Sequence, residues 1–416
     1  MKVDRLTYWV SLALVLGLII GAIVHAMGLN NHTLFLFVRQ FLDFGSHVFL
    51  SLLKLLVVPV VFVSLICGVG SAENITRLGR MGLQTLFFYI GTTALALIIA
   101  LCLTLIFEPG VGFNDPSFIH NDFKSDSISW LDSIKKIVPS NIVSAFLSMD
   151  MMQVIFISLI LGTALAKTQP STGMILNFFE QLNILFNEWV LLTLKIAPVG
   201  VFCLMVEVFS QKGLQFLGPL SSYFGVVLLG LLIHFLFIYF SILKWCVGAD
   251  PILFIKKFKS VMLLAYSTSS SQATLSLNMS VTEKKLGVNR RVSSFTLPLG
   301  ATINMDGTAI MQGVATVFIA QVYGIELSAL QLLSVVVMAT LASVGTAGVP
   351  GVGLITLSMV LDQVGLPIEG IGLILGVDRL LDMFRTVVNV TGDTVITLWI
   401  AKKNQAWDRS LYEAEA

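Results

Sequence analysis

The sequence predicts an all-α membrane protein with two re-entrant helical hairpins arranged as inverted repeats. Three observations carry that prediction. Only 12 % of the 416 residues are charged, 56 % are apolar and the mean hydropathy is +0.91, whereas a soluble domain carries roughly 25 % charge. Apolar runs long enough to cross a bilayer recur along the chain. Two uncharged stretches in the C-terminal half have Ser, or Gly and Pro, at their centres and suit hairpins better than through-going spans. This composition excludes a nucleic-acid binder, a disordered chain and an ordinary cytosolic enzyme, whose surfaces need far more charge. A formal net charge of +1 points to no polyanionic partner.

A spanning helix needs about 20 apolar residues to cross roughly 30 Å of hydrocarbon. Leu6 to Met27, Gly45 to Ala72, Met81 to Phe107, Met151 to Ala166, Phe186 to Phe209 and Gly213 to Leu243 meet or approach that length. The first run is longer than a signal-peptide core and has no clear small-residue cleavage site, so it is read as a retained span. Glu108 to Ser140 is polar and is expected to be an external loop. Short cytoplasmic loops collect Lys and Arg. Lys2 and Arg5, Arg77 and Arg80, and Lys402, Lys403 and Arg409 therefore place both termini in the cytoplasm. Cys67, Cys102, Cys203 and Cys246 have no CxxC spacing and suggest neither disulfides nor zinc. The five histidines, among them His25, His32 and His120 near predicted loops, are assigned no chemistry.

The first hairpin is expected within Ser260 to Thr282. Basic clusters at Lys256, Lys257, Lys259 and at Lys284, Lys285, Arg290, Arg291 flank it, and a single crossing would put one cluster outside. The second is expected within Leu327 to Leu361, 35 uncharged residues centred on Gly345-Thr-Ala-Gly-Val-Pro-Gly-Val-Gly353 and flanked by Glu326 and Asp362. Gly and Pro at that density end helices. Each hairpin precedes an apolar helix carrying Asn-x-x-Gly, at Asn304-Met-Asp-Gly307 and Asn389-Val-Thr-Gly392, and both helices are expected to be interrupted there. Two copies of hairpin plus broken helix, entering from opposite sides, mark an inverted repeat of a secondary transporter, with the site between the copies.

Asp306, Asp382, Arg385 and Asp393 lie in these apolar helices, where each charge costs about 2.5 to 3.5 kcal/mol on insertion scales. Asp382 and Arg385, at i and i+3, form either a structural ion pair or a binding pair in which Arg385 takes a solute carboxylate and Asp382 its ammonium. An acidic amino acid satisfies both, with Thr386 and Asn389 nearby. Asp306 and Asp393 are either helix caps or ligands of a monovalent cation, completed by carbonyls and hydroxyls. Lys54, Lys195 and Glu207 are read as snorkelling groups near helix ends. Tyr89 stands out because Thr92 and Thr93 follow it deep in a span.

Asn304-Met-Asp-Gly-Thr308, Gly345-Thr-Ala-Gly-Val-Pro-Gly351 and Asp382-Met-Phe-Arg-Thr-Val-Val-Asn-Val-Thr-Gly-Asp393 resemble the signatures of the dicarboxylate/amino acid:cation symporter, or glutamate transporter, family. The resemblance runs through Leu52-Leu-Lys-Leu-Leu-Val-Val-Pro59 and Ile137-Val-Pro-Ser-Asn141 and covers nearly the whole chain. It implies a homotrimer whose protomers each have eight transmembrane helices and two hairpins. Residues 1–72 and 108–212 would form a fixed scaffold, 73–107 and 213–403 a moving transport part, and 404–416 a cytoplasmic tail. For the solute it implies Ser269, Ser270, Ser271, Thr308, Val349, Pro350, Gly351, Val352, Gly353, Asp382, Arg385, Thr386 and Asn389. For sodium it implies one site at Gly300, Asn304, Asn389 and Asp393 and a second at Thr302, Ser343, Val344 and Thr346. A third resembles Tyr89, Thr92, Thr93, Asn304 and Asp306, with Met305 between sites.

The sequence departs from its relatives in places. Archaeal members carry Arg where this chain has Ser269 and animal members carry it where this chain has Met383, so neither position supplies a second positive charge. Gln312 stands where animal members have a Glu thought to carry a proton, and an amide does not titrate. Gln272 and Ser276 replace a small residue and a Pro in the first hairpin. The expected function is sodium-coupled symport of L-glutamate or L-aspartate by an elevator-type movement in the plasma or inner membrane, with no covalent chemistry. Proton-coupled uptake of the same solutes or of C4-dicarboxylates is the nearest alternative, and an ion channel or an intramembrane enzyme the remoter ones.

Overall fold

A computed structural model describes residues 2–29, 33–70, 80–112, 138–148, 151–168, 173–344 and 351–414, and these are nearly all helical. In chain order the helices are α1 (Lys2–Ala26), α2 (Thr33–Gly70), α3 (Arg80–Phe107), α4 (Ile142–Leu147), α5 (Met151–Thr168), α6 (Gly173–Leu194), α7 (Ala197–Lys212) and α8 (Leu217–Ile233). Then come α9 (Pro251–Thr268), α10 (Ser271–Lys284), α11 (Arg290–Ile303), α12 (Asp306–Val322), α13 (Ala329–Val344), α14 (Val352–Gln363), α15 (Ile371–Lys403) and α16 (Arg409–Glu413). Among the described residues three helical stretches are long and apolar enough to cross a membrane: Tyr8–Ala26, Met81–Phe107 and Gly213–Val247. The third runs on from α8 through two π-helical turns, His234–Tyr239 and Ile242–Val247.

Two expected spans take a different form. The expected span Gly45 to Ala72 is, as far as Gly70, the later part of one helix that starts at Thr33, and residues 71–72 lie outside the described residues. Gly45 does not break it, because the missing side chain lets Cys203 Sγ approach to 2.7 Å of where a Cβ would stand. Phe186 to Phe209 is divided between α6 and α7, which meet at 47°. Pro198, in the first turn of α7, has no N–H to continue the hydrogen bonding of α6, and Lys195 lies exposed at the break. The four cysteines are all free.

Packing sorts the helices into two groups that touch. α1 lies along α7, while α2 packs on α5, α6 and α7. Around α15 gather α3, α8, α9, α10, α11, α12 and α14. The α1–α7 contact depends on Gly17 and Gly21, one turn apart. A Cβ on Gly17 would stand 2.8 Å from Met205 Cβ, and one on Gly21 2.7 Å from Phe209 Cβ. Small residues at this spacing let helices close where lipid offers no hydrophobic drive between them.

The first hairpin is built by two adjacent serines. Ser269, at φ 49°, takes the left-handed conformation that ends α9, and Ser270 starts α10 by accepting from Ala273 N at 3.2 Å. Tyr266 meets Phe384 of α15 edge-on at 5.1 Å. Thr394 Oγ1 donates to Asn278 Oδ1 at 2.8 Å, so α10 is tied to α15 as well. At the opposite end of the hairpin, residues 404–414 fold back: Asp408 N donates to Gly287 O, Trp407 Nε1 to Leu286 O and Tyr412 Oη to Asp250 O, at 2.7 to 2.9 Å. The hydroxyl of Ser410 and the amide of Leu411 hold the Asp408 carboxyl below its usual range.

The chain breaks between α11 and α12 as expected, with Asn304 extended (φ −94°, ψ 91°). The matching break at Asn389 to Gly392 does not occur, and α15 runs unbroken for 33 residues. Gly392 serves close approach, since a Cβ there would overlap Tyr239 Oη and lie 2.7 Å from Asn304 Nδ2. Replacing Gly17 with Leu is expected to lower the melting temperature of the detergent-solubilised protein, by the equivalent of about 1–3 kcal/mol for overpacking. Circular dichroism melting checks this.

Candidate solute and cation site

Four charged side chains on α15 form an alternating chain. Arg385 is fully buried, with Nη2 donating to Asp382 Oδ1 at 2.8 Å and Nη1 3.1 Å from Asp378 Oδ1. Arg379 Nη1 lies 3.3 Å from Asp382 Oδ2. Both predicted residues of the pair therefore meet, and two neighbours missing from the prediction, Asp378 and Arg379, extend it. Spacings of three, three and seven residues put all four on one side of the helix.

The surrounding elements bring backbone rather than bulk to this pair. Gly351 N is 3.3 Å from Asp382 Oδ2, and a Cβ on Gly353 would stand 3.1 Å from Thr308 Cγ2 and 3.2 Å from Arg385 Nη1. Gly351, at φ 79°, opens α14, and Val352 follows it in the buried first turn. Gly307 comes so close to α15 that a Cβ would lie 2.6 Å from Arg385 O. Asn389 joins both helices: Gly307 N donates to its Oδ1 at 2.7 Å, and its Nδ2 reaches Met305 Sδ at 3.3 Å and Thr308 Oγ1 at 3.4 Å. Thr386 donates to Asp382 O within its own helix at 2.8 Å. Ser269, Ser270 and Ser271 are buried at the hairpin tip, and Ser269 Oγ has no hydrogen-bond partner. Val349 and Pro350 lie outside the described residues.

The oxygen-rich cluster beside it gathers around the α11–α12 break. Asn304 Nδ2 donates to Asp393 Oδ1 at 3.0 Å, and its approach to Asn389 O is 3.4 Å. Gly300 has its bare Cα against the same acid, for a Cβ would lie 2.6 Å from Asp393 Oδ1 and 2.7 Å from Tyr89 Oη. Thr92 Oγ1 lies 3.4 Å from Asn304 Oδ1, and Thr93 Oγ1 donates to Asp306 Oδ1 at 2.6 Å. Both threonines also share the Tyr89 carbonyl, while the Tyr89 hydroxyl donates to Thr296 O at 3.0 Å. Carboxylates, amide oxygens and hydroxyls make a hard-cation donor set. The remaining group is less assembled. Thr302 and Ser343 bond to Leu299 O and Thr340 O of their own helices, Val344 ends α13, and Thr346 lies outside the described residues.

His234 corrects the expectation that no histidine takes part. Its Nε2 lies 3.1 Å from Asp306 Oδ2, to which Tyr239 Oη also donates at 2.8 Å. All three side chains are fully buried. The π-helical turn His234–Tyr239 explains the meeting, because i to i+5 bonding brings residues five apart onto one face. Polar residues at 234 and 239 inside a long apolar run were the available signal. His25, exposed as expected, hydrogen-bonds Ser210 O at 3.1 Å, and His32 and His120 lie outside the described residues. Gln312 Nε2 donates to Thr356 Oγ1 at 2.6 Å and so links α12 to α14.

The sequence pattern of the sodium:dicarboxylate symporter family matches residues 6–403. The chain belongs to this family. It is a membrane transporter and not an enzyme. Similar proteins include the "Proton/sodium-glutamate symport protein" of Geobacillus stearothermophilus, 33 % identical over 414 residues that cover 97 % of this chain and 95 % of the relative. The "Proton/glutamate-aspartate symporter" of Escherichia coli (strain K12) is 32 % identical over 99 % of this chain and 96 % of its own length. The "C4-dicarboxylate transport protein" of Bacillus subtilis (strain 168) is 30 % identical over 98 % and 95 %.

Removing one donor from a buried carboxylate costs about 1–3 kcal/mol. Tyr239→Phe is therefore expected to lower the melting temperature of this symporter, whereas Tyr8→Phe, at a residue 62 % exposed, leaves it unchanged. Thermal unfolding in one detergent compares the two.

Proposed function

We propose that this symporter takes up L-glutamate or L-aspartate across the plasma or inner membrane, driven by sodium moving down its gradient. The observation that supports this most is the buried Arg385–Asp382 pair at 2.8 Å, faced by Gly351 and Gly353, whose two charges match the carboxylates and ammonium of an acidic amino acid. A solute carboxylate takes the planar fork of Arg385, the ammonium takes Asp382, and Thr308, Thr386, Asn389 and the Ser269–Ser271 tip complete the contacts. Sodium is cargo. Gly300, Asn304, Asn389 and Asp393 would hold one ion and Tyr89, Thr92, Thr93, Asn304 and Asp306 another, with Met305 between, while Thr302, Ser343, Val344 and Thr346 would hold a further one.

Eight spans and two re-entrant hairpins, in inverted repeats, carry out the cycle in this proposal. The second hairpin, expected within residues 327–361, is the gate, which closes when solute and cations together neutralise the pocket, because an unpaired charge in a closed apolar site is costly. Residues 73–107 and 213–403 then move as one elevator-like part against a scaffold of 1–72 and 108–212. The assembly is a homotrimer with both termini, including 404–416, in the cytoplasm. Proton coupling is the second reading, favoured by the wording of the relatives' names. Gln312, bonded through its amide to Thr356, offers no titrating group on that route.

Reconstituted into liposomes, the protein is expected to accumulate labelled aspartate under an inward sodium gradient and not under choline. Arg385→Ala removes one member of a buried charge pair, worth about 2–5 kcal/mol, so uptake at low solute falls roughly thirtyfold or more. Uptake indifferent to both changes would disprove the proposal.

A further inference from the structure

We propose that the cleft between the end of α8's π-helical extension and the folded-back tail is a binding site for a phospholipid headgroup that carries both a phosphate and a primary ammonium, that of phosphatidylethanolamine. The cleft shares no residue with the solute and cation clusters, and the proposal does not rest on their reading.

The cleft has a volume of about 660 Å³, and Phe240, Lys244, Trp245, Asp250, Arg409 and Glu413 are among the residues that line it. Hydrogen bonds fix its walls to one another. Lys402 Nζ donates to Cys246 O at 3.0 Å and so ties the π-helical end to α15. Tyr412 Oη donates to Asp250 O at 2.7 Å and Lys257 Nζ to Leu411 O at 3.0 Å, which hold α16 against the start of α9. Tyr412 is buried in that contact. The cleft also lies at the right depth for a headgroup. The apolar stretch Gly213–Val247, long enough to cross a membrane, ends beside it. Trp245 and Ile252 on its rim are 77 % and 63 % exposed, and tryptophans at the ends of spans sit at the headgroup level.

The charges in the cleft select the headgroup. Arg409 Nε meets Glu413 Oε1 at 2.6 Å, with the two side chains 64 % and 55 % exposed, so water screens the pair and it yields readily to a ligand. The guanidinium has further N–H groups for a phosphate, and Lys244 stands exposed on the same cleft as a second donor. Glu413 then takes the ammonium. Asp250 lies on the same cleft, although its Oδ1 already accepts from Ile252 N at 2.9 Å as the cap of α9. Lys244, Asp250, Arg409 and Glu413 sum to zero, so a headgroup with one charge of each sign keeps the balance. Phosphatidylglycerol would add an uncompensated negative charge beside two carboxylates. Phosphatidylcholine is neutral, but its trimethylated nitrogen has no N–H to donate to Glu413.

The test titrates the purified full-length protein, in a non-ionic detergent, with dioctanoyl phosphatidylethanolamine, phosphatidylcholine or phosphatidylglycerol, and follows the rise in unfolding temperature that a bound ligand brings. The unaltered protein is expected to reach half of the maximal rise at a phosphatidylethanolamine concentration about tenfold below that of either other lipid. Lys244→Gln should raise that concentration about fivefold or more, since it removes a phosphate donor. Glu413→Gln should abolish the advantage of phosphatidylethanolamine over phosphatidylcholine, since it removes the partner of the ammonium. Both side chains are exposed, so the variants are expected to fold as the unaltered protein does. Three lipids acting alike on the unaltered protein would overturn the proposal, as would phosphatidylglycerol acting most strongly, or a preference for phosphatidylethanolamine that survives both substitutions.

Discussion

A charge buried where neither water nor lipid can solvate it must find its partner inside the protein, and this one constraint shapes the C-terminal half of the molecule. Arg385 is fully enclosed, so Asp378 and Asp382 flank it, and Arg379 in turn takes the far oxygen of Asp382. Asp306, equally enclosed, draws Thr93, His234 and Tyr239 to its two oxygens. Asp393 is met by Asn304 and by the bare backbone of Gly300. The glycines at 300, 307, 353 and 392 occur where α11, α12, α14 and α15 come within a methyl group of one another or of α8's extension. Polar satisfaction and close packing are thus one design here, because donors reach the acids only if the backbones close.

The same constraint gives a physical basis for coupling. In the proposed cycle a solute carboxylate competes with Asp378 and Asp382 for Arg385, and cations compete with resident amides and hydroxyls for Asp306 and Asp393. Asn389 belongs to both clusters, since its side chain accepts from Gly307 N and reaches Thr308 while its carbonyl faces Asn304. In the proposed cycle, occupancy of one cluster would therefore bear on the geometry of the other through this one residue, by its side chain and its carbonyl, and the helix break beside it.

Much of this was legible in the sequence, for reasons that also explain what was not. Asp306, Asp382, Arg385 and Asp393 stood out because ionised groups are rare in apolar helices. The turn at Ser269–Ser270 was legible from the basic clusters that flank an uncharged stretch with serines at its centre, while the capping that forms it became visible only in the structure. Arg379 and Asp378 were passed over because a charge beside a known pair reads as part of its surroundings until distances are seen. His234 and Tyr239 were hidden because α-helical spacing separates residues five apart, and only the π-turn aligns them. The second Asn-x-x-Gly motif misled in the opposite direction. At Gly307 the glycine adjoins a real break, while at Gly392 it clears space for Tyr239 within an intact helix. Motif identity carried over, but backbone conformation depended on what packed against each copy.

Aspartate binding to the purified protein, titrated with sodium against choline at pH 6 and pH 8, tests the coupling of the two clusters most directly. Interlocked clusters predict no measurable binding without sodium and an affinity that rises about tenfold or more for each tenfold increase in sodium, alike at both pH values. Binding that ignores sodium and follows pH instead would contradict it.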